Sequence, residues 1–160
     1  MQEPAHGGSR KLVHHVRAGD IEHGGLASAQ IKRQLSSLGV SPFDARRAGI
    51  IAFEAEMNLV VYSTDGGTIS VEVGEESIAI EVKDAGPGIE DIDLALTPGF
   101  STAPPWAMEL GFGAGMGLSN IQANADGFEI HSHIGSGTRI LCRIQRRRYD
   151  TSGHRPTTRT

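Results

Sequence analysis

A chain of 160 residues is long enough for one good hydrophobic core and too short for two domains of ordinary size. Its net charge of −4 is uneven, because Gln145 to Thr160 contributes a local +4 and leaves −8 for the rest, an acidic body that does not suggest a nucleic-acid binder. Cys142 is the single cysteine, so no intramolecular disulfide can form; no secretory signal follows Met1, and the central apolar run, Ile50 to Phe53, is far below the roughly 20 residues of a membrane span, so the expectation is a cytoplasmic protein without a membrane partner.

Residues 1–9 carry glycine and proline without periodicity and are expected to be disordered. Arg10 to Ala18 reads as a first strand. Ile21 to Leu38 reads as a helix, with Leu26, Ala29, Leu35 and Leu38 near helical spacing and Gly39 as its stop. A second helix is expected over Pro42 to Tyr62, where Ser41 can cap, Pro42 suits the first position and Asp44 favours the positive end of the dipole; its length would be about 30 Å.

At 100° per residue, Ala48, Ile51, Ala52, Ala55, Leu59 and Tyr62 of that helix form one apolar stripe. Glu54 and Asn58 fall together on its border, where they could line a cavity beside the core, and Glu56 reads as a solvated charge. Thr68 to Val73 and Ser77 to Asp84 alternate with period two on either side of a turn and predict an antiparallel hairpin.

A short helix is expected at Glu90 to Leu96. Thr97 to Gly117, rich in glycine and proline, has the length and composition of a lid or a disordered segment. Its Phe100, Trp106, Met108, Leu110 and Phe112 form either a partner-docking surface or a set that folds onto the core. A helix from about Gly117 to Asp126 and strands at Phe128 to His133 and Thr138 to Ile144 complete a domain over 10–144, and 145–160 reads as a polar, basic, disordered tail. His131 and His133 share one strand face, as zinc ligands would, but no third or fourth ligand is apparent.

Glycines cluster where strands end and helices start, where backbone amides approach an anion closely. No GK[ST] follows them and none satisfies GxGxxG, which excludes the two common phosphate-binding patterns. The combination that remains is Glu54 and Asn58 as ExxxN, "DAGPG" at Asp84 to Gly88, "GAGMGL" at Gly113 to Leu118 and "GSGT" at Gly135 to Thr138. In this order the four motifs resemble the GHKL ATPase superfamily over roughly residues 30 to 144, and the short length with "GFSTA" at Gly99 to Ala103 is similar to anti-sigma-factor serine kinases and stressosome switch kinases.

The resemblance implies a Bergerat-type α/β two-layer sandwich, with helices on one face of a mixed, largely antiparallel sheet. It implies ATP and Mg²⁺ as cofactors, Glu54 as general base, and Asn58 as a magnesium ligand. Asp84 would accept a hydrogen bond from the adenine amino group, Gly86 and Gly88 would let the chain turn beneath the base, and Thr138 would support the adenine. Gly113, Gly115, Gly117 and Leu118 would wrap the phosphates. The implied activity is a protein serine/threonine kinase acting on a STAS-domain antagonist. Two alternatives stand beside it: a nucleotide-gated switch that sequesters a sigma factor, and the detached ATP-binding half of a histidine kinase. Pairing into a homodimer through the first strand and helix is implied by the same similarity.

Overall fold

Period-two alternation builds a five-stranded sheet from β1 (Arg10–Val16), β2 (Gly67–Val73), β3 (Ser77–Asp84), β4 (Gly127–His133) and β5 (Gly137–Gln145). The computed structural model describes residues 8–147, so most of the expected disordered start and tail, 1–9 and 145–160, lies outside the described residues. The strand order is β1-β2-β3-β5-β4 and every pairing is antiparallel. One face buries Ile69, Val71, Ile78, Ile80, Ile140 and Ile144. The other is open, and there Arg139 donates from Nε and Nη2 to Glu81 Oε2 at 2.8 and 2.6 Å. His131 lies on this exposed side, 3.5 Å from Glu129, and no cluster of three or more metal-ligating groups exists among the described residues.

The covering layer consists of α1 (Leu26–Ser37), α2 (Pro42–Tyr62) and α5 (Gly117–Asn124), with α3 (Ile92–Ala95) and α4 (Pro105–Glu109) in the connection before α5. Helix α2 has the expected bounds: Ser41 Oγ accepts from the Asp44 amide at 3.1 Å and Pro42 opens the first turn. Its stripe of Ala48, Ile51, Ala52, Ala55 and Leu59 is buried against the sheet. No helix among the described residues is long and apolar enough to cross a membrane.

Most other bounds shift by one or two residues, α4 forms within the segment expected as a lid or disordered segment, and the larger differences lie at the two ends of the domain. The first strand ends at Val16, and α1 starts at Leu26 instead of Ile21, because Gly25 adopts φ 95° and the segment before it is a series of turns. The folded body also runs past 144. The Arg147 amide donates to Asp44 Oδ2 at 2.7 Å, its guanidinium stands 3.9 Å over the Phe43 ring, and Arg146 Nη2 reaches the Gly39 carbonyl at 3.3 Å. Cys142 is buried on the inner face of β5, which pushes its thiol up to about 12.

Glu56 requires the largest correction. Expected as a solvated charge, it is 2 % exposed and accepts from the amides of Ala27 at 3.1 Å and Ser28 at 2.9 Å. Two residues beyond Glu54, it points about 200° further around α2, toward α1. Helix α1 has no side-chain cap and no acidic residue of its own in the first turn. Glu56 supplies both the acceptor and the negative charge from the neighbouring helix. Replacing Glu56 with alanine leaves two buried donors without an acceptor, and the expected loss is about 2 to 3 kcal/mol, read as a lower urea midpoint with an unchanged m value.

Candidate functional site

The sheet's alternation and the border of α2 meet in one place. Asp84 ends β3 with the same inward parity as Ile78, Ile80 and Val82, and Thr138 shares the parity of Ile140, Cys142 and Ile144 on β5. Glu54 and Asn58, half-buried on α2, face the same gap between the two layers. The result is a cavity of about 1300 Å³ that also takes in Gly88, Gly113, Gly115, Gly117 and Leu118. Gly86 does not line it but stands behind it.

Gly86 acts on the cavity through Asp84. Its amide donates to Asp84 Oδ1 at 2.7 Å, and a Cβ built on it would stand 2.9 Å from that oxygen. Two residues later Gly88 has φ 79°, and a Cβ there would come within 2.3 Å of the His133 carbonyl oxygen. The loop leaving β3 therefore lies directly on the β4–β5 turn. The Ile89 amide donates to Ser132 Oγ at 2.7 Å, and Ser132 Oγ lies 2.8 Å from Thr138 Oγ1. Ser132 is a site residue that motif reading missed; its one sequence signal is that it shares the inward parity of Phe128 and Ile130 on β4.

At the other end of the cavity, α5 packs against α2. Glu54 Oε1 accepts from Asn120 Nδ2 at 2.9 Å, a contact that sequence reasoning also missed. A Cβ on Gly117 would stand 3.1 Å from Asn58 Oδ1 and 3.4 Å from Glu54 Oε2, close enough to press on the amide and to touch the carboxylate. No side chain caps α5. The amides of its first turn, at Gly117, Leu118 and Ser119, stay available to an anion. The far end of α5 is tied to α2 by Arg47, whose Nε donates to the Asn124 carbonyl at 3.0 Å and whose Nη2 donates to Asp126 Oδ1 at 2.9 Å. Together with the Gln145 amide, this guanidinium holds the Asp126 carboxyl below the usual carboxylate range.

The segment from Thr97 to Gly117 roofs the cavity. Gly113 and Gly115 both have positive φ, and a Cβ on Gly115 would come within 2.5 Å of Gly99 and Phe100 backbone atoms. The Gly99 amide donates to the Gly115 carbonyl at 3.0 Å, and Tyr62 Oη lies 3.1 Å from Ser101 Oγ. Of its expected apolar residues, Phe112 packs on the core, whereas Phe100, Trp106, Met108 and Leu110 are exposed. The electrostatics are one-sided. Glu54, Asp84, Glu90, Asp91 and Asp93 line the cavity, and among the described residues no lysine or arginine does.

The family model of histidine kinase-, DNA gyrase B- and HSP90-like ATPases matches residues 43–148. The chain belongs to this family. The match takes in all but the first residue of α2, which carries Glu54 and Asn58, and runs past the end of β5, and membership implies ATP binding. Among curated proteins the chain is 31 % identical over 120 residues to the serine/threonine-protein kinase RsbT of Bacillus subtilis, covering 72 % of this chain and 84 % of that one. It is 32 % identical over 92 residues to the anti-sigma F factor of Clostridium acetobutylicum, covering 55 % and 61 %. The solved structure of the RsbU and RsbW domains of Rv1364c from Mycobacterium tuberculosis superposes on 86 % of this chain and 32 % of that one, with a TM-score of 0.59 and 17 % identity. That likeness shows a shared fold.

Gly117 gives the site a direct test. Alanine is tolerated by a helix start, so Gly117→Ala should keep the melting temperature while the methyl group crowds Asn58 Oδ1 and fills space beside Glu54 Oε2. A loss of about tenfold in ATP affinity by titration calorimetry, equal to ~1.4 kcal/mol, is expected.

Proposed function

We propose that this chain is a protein serine/threonine kinase that transfers the γ-phosphate of ATP to a hydroxyl of a STAS-domain antagonist in a partner-switching pathway that controls a sigma factor. The observation that carries this reading is Glu54 beside Asn58 and Gly117 in a cavity large enough to take ATP, within a chain similar to RsbT and anti-sigma F factors. In the proposed transfer, the acceptor oxygen bonds to the γ-phosphorus and gives its proton to Glu54 Oε2. The bond from phosphorus to the bridging oxygen breaks, and ADP leaves with the electron pair. Glu54 supplies base catalysis of about 10² to 10⁴ in rate, and positioning supplies most of the remainder.

Asp84 is assigned to the adenine amino group, with Gly86 fixing the carboxylate's orientation, Gly88 letting the loop pass close to the β4–β5 turn, and Thr138 and Ser132 supporting the base edge. Gly113, Gly115, Gly117 and Leu118 are assigned to the phosphates. ATP brings about four negative charges into a cavity lined by five carboxylates and no basic side chain among the described residues, a donor set that fits a divalent cation carried with the nucleotide. Asn58 Oδ1 is the ligand assigned to Mg²⁺, with water completing the shell. When bound, that ion supplies charge neutralisation at the phosphates.

The anti-sigma relatives favour a second reading, in which the chain chiefly sequesters a sigma factor in its nucleotide-bound form. A homodimer formed through β1 and α1, where Val13 and Leu26 are about half exposed, belongs to either reading.

Labelled Mg-ATP added to an extract of the source cell tests the proposal. The wild type should yield one acid-stable phosphoprotein, Glu54→Gln should bind ATP and transfer about 10² to 10⁴ times more slowly, and Asp84→Asn should bind ATP at least tenfold more weakly. An acid-labile product would assign the chain to histidine transfer instead. Tight ATP binding without any labelled protein would leave sequestration as the function.

A further inference from the structure

Glu54 has a partner that none of the four motifs contains. Asn120 sits on the first turn of α5, three residues after Gly117, and its Nδ2 donates to Glu54 Oε1 at 2.9 Å. We propose that Asn120 is the positioning residue for Glu54: its amide holds one carboxylate oxygen and so leaves the other, Oε2, aimed at the acceptor hydroxyl. This rests on the reading of Glu54 as the base.

The argument begins with the freedom of a glutamate. Three side-chain torsions separate its carboxylate from α2, and a half-buried Glu54 without a partner would share its orientation among several rotamers. General base catalysis needs one orientation, within hydrogen-bond reach of the hydroxyl and in line with the phosphorus. A neutral amide suits this role better than a lysine or arginine would. It donates a hydrogen bond without placing a positive charge beside the group that must take up a proton.

The donor is itself held in place. The Asn120 amide N–H bonds to the Met116 carbonyl at 2.9 Å, and Asn124 Nδ2 bonds to the Asn120 carbonyl at 2.9 Å, so its backbone is fixed on both sides. Ile121, the next residue, is fully buried, and Arg47 clamps the end of α5 onto α2. Because α5 begins at Gly117, where the roof of the cavity ends, Asn120 orients Glu54 only when α5 is seated and the phosphate-binding glycines are in place. The base is thereby coupled to an assembled nucleotide site through one side-chain amide.

The extract assay, run at limiting and saturating ATP, separates this role from simple support of the fold. Asn120→Ala should lower kcat on the order of 10- to 100-fold, as misplacement of a catalytic group does, with KM for ATP changed less than about twofold. Asn120→Asp keeps the shape and removes the donor, so it should lose at least as much, while Asn120→Gln, which keeps an amide donor on a longer arm, should recover part of the rate. In a Glu54→Gln background, any residual rate should not fall further when Asn120→Ala is added. Wild-type kcat in Asn120→Asp, an effect confined to KM, or an equal loss in the Glu54→Gln background would each overturn the proposal. If Glu54→Gln retained wild-type transfer, the reading of Glu54 as base would fail instead. Should the position-120 variants unfold, the side-chain amide resonances of Asn120 in the otherwise intact Glu54→Gln protein decide: unmoved resonances would overturn the contact.

Discussion

One helix performs two physically opposed tasks, and the rest of the molecule is arranged around it. Helix α2 must bury a stripe of alanine, isoleucine and leucine against the sheet, and the same 21 residues carry four acidic or amide side chains, two buried and two half-buried, that need partners or solvent. Each polar group has its own solution. Asp44 accepts at Oδ2 from Ser41 and Arg147 and keeps Oδ1 3.8 Å from Arg47 Nη1 without a hydrogen bond, Glu56 caps the neighbouring helix, and Glu54 with Asn58 borders a cavity. The small residues of the stripe bring α2 close to the sheet, and the gap left where the layer ends is the site.

The cavity is acidic, yet its proposed ligand is an anion. That combination is workable because the attraction comes from groups that carry no formal charge: the uncapped amides at the start of α5, and a glycine-rich roof whose backbone can come close. In the proposed function a divalent cation arrives with the nucleotide to offset the carboxylates. The site is also sensitive to glycine geometry, since a methyl group at Gly88, Gly115 or Gly137 would meet backbone atoms at 2.5 Å or less, and backbone cannot swing aside as a side chain can.

Contacts at the cavity link elements distant in sequence. Gly86 orients Asp84, Ser132 joins the loop after β3 to Thr138, and Asn120 joins α5 to Glu54. Asp84, Thr138 and Glu54, which line the cavity, therefore each have a support from another residue. Arg47 and Asp126 extend the same arrangement to the far end of α5, where a guanidinium meets the carbonyl of the helix's last residue and Asp126, which also accepts from the Gln145 amide of β5.

Much of this was legible in the chain alone, for identifiable reasons. Helix α2 was readable to its last residue because its cap, its proline and its apolar period agree, and the β2–β3 hairpin because two alternating runs flank a short turn. Asp84 and Thr138 could be placed on the inner face by parity alone. The start of α1 was not readable, because the turns before Gly25 contain residues that also suit a helix. Glu56 was misassigned for a related reason: periodicity says which side of a helix a residue occupies but not which neighbour lies there. Ser132 and Asn120 escaped because each acts across a sequence separation, 43 and 66 residues, that no local pattern reports. Local chemistry in the sequence determined the elements, the inward faces and the family; only packing decided which carboxylate is a cap, which is exposed to the cavity, and which amide holds it, because those roles belong to pairs of residues that meet only when the layers close.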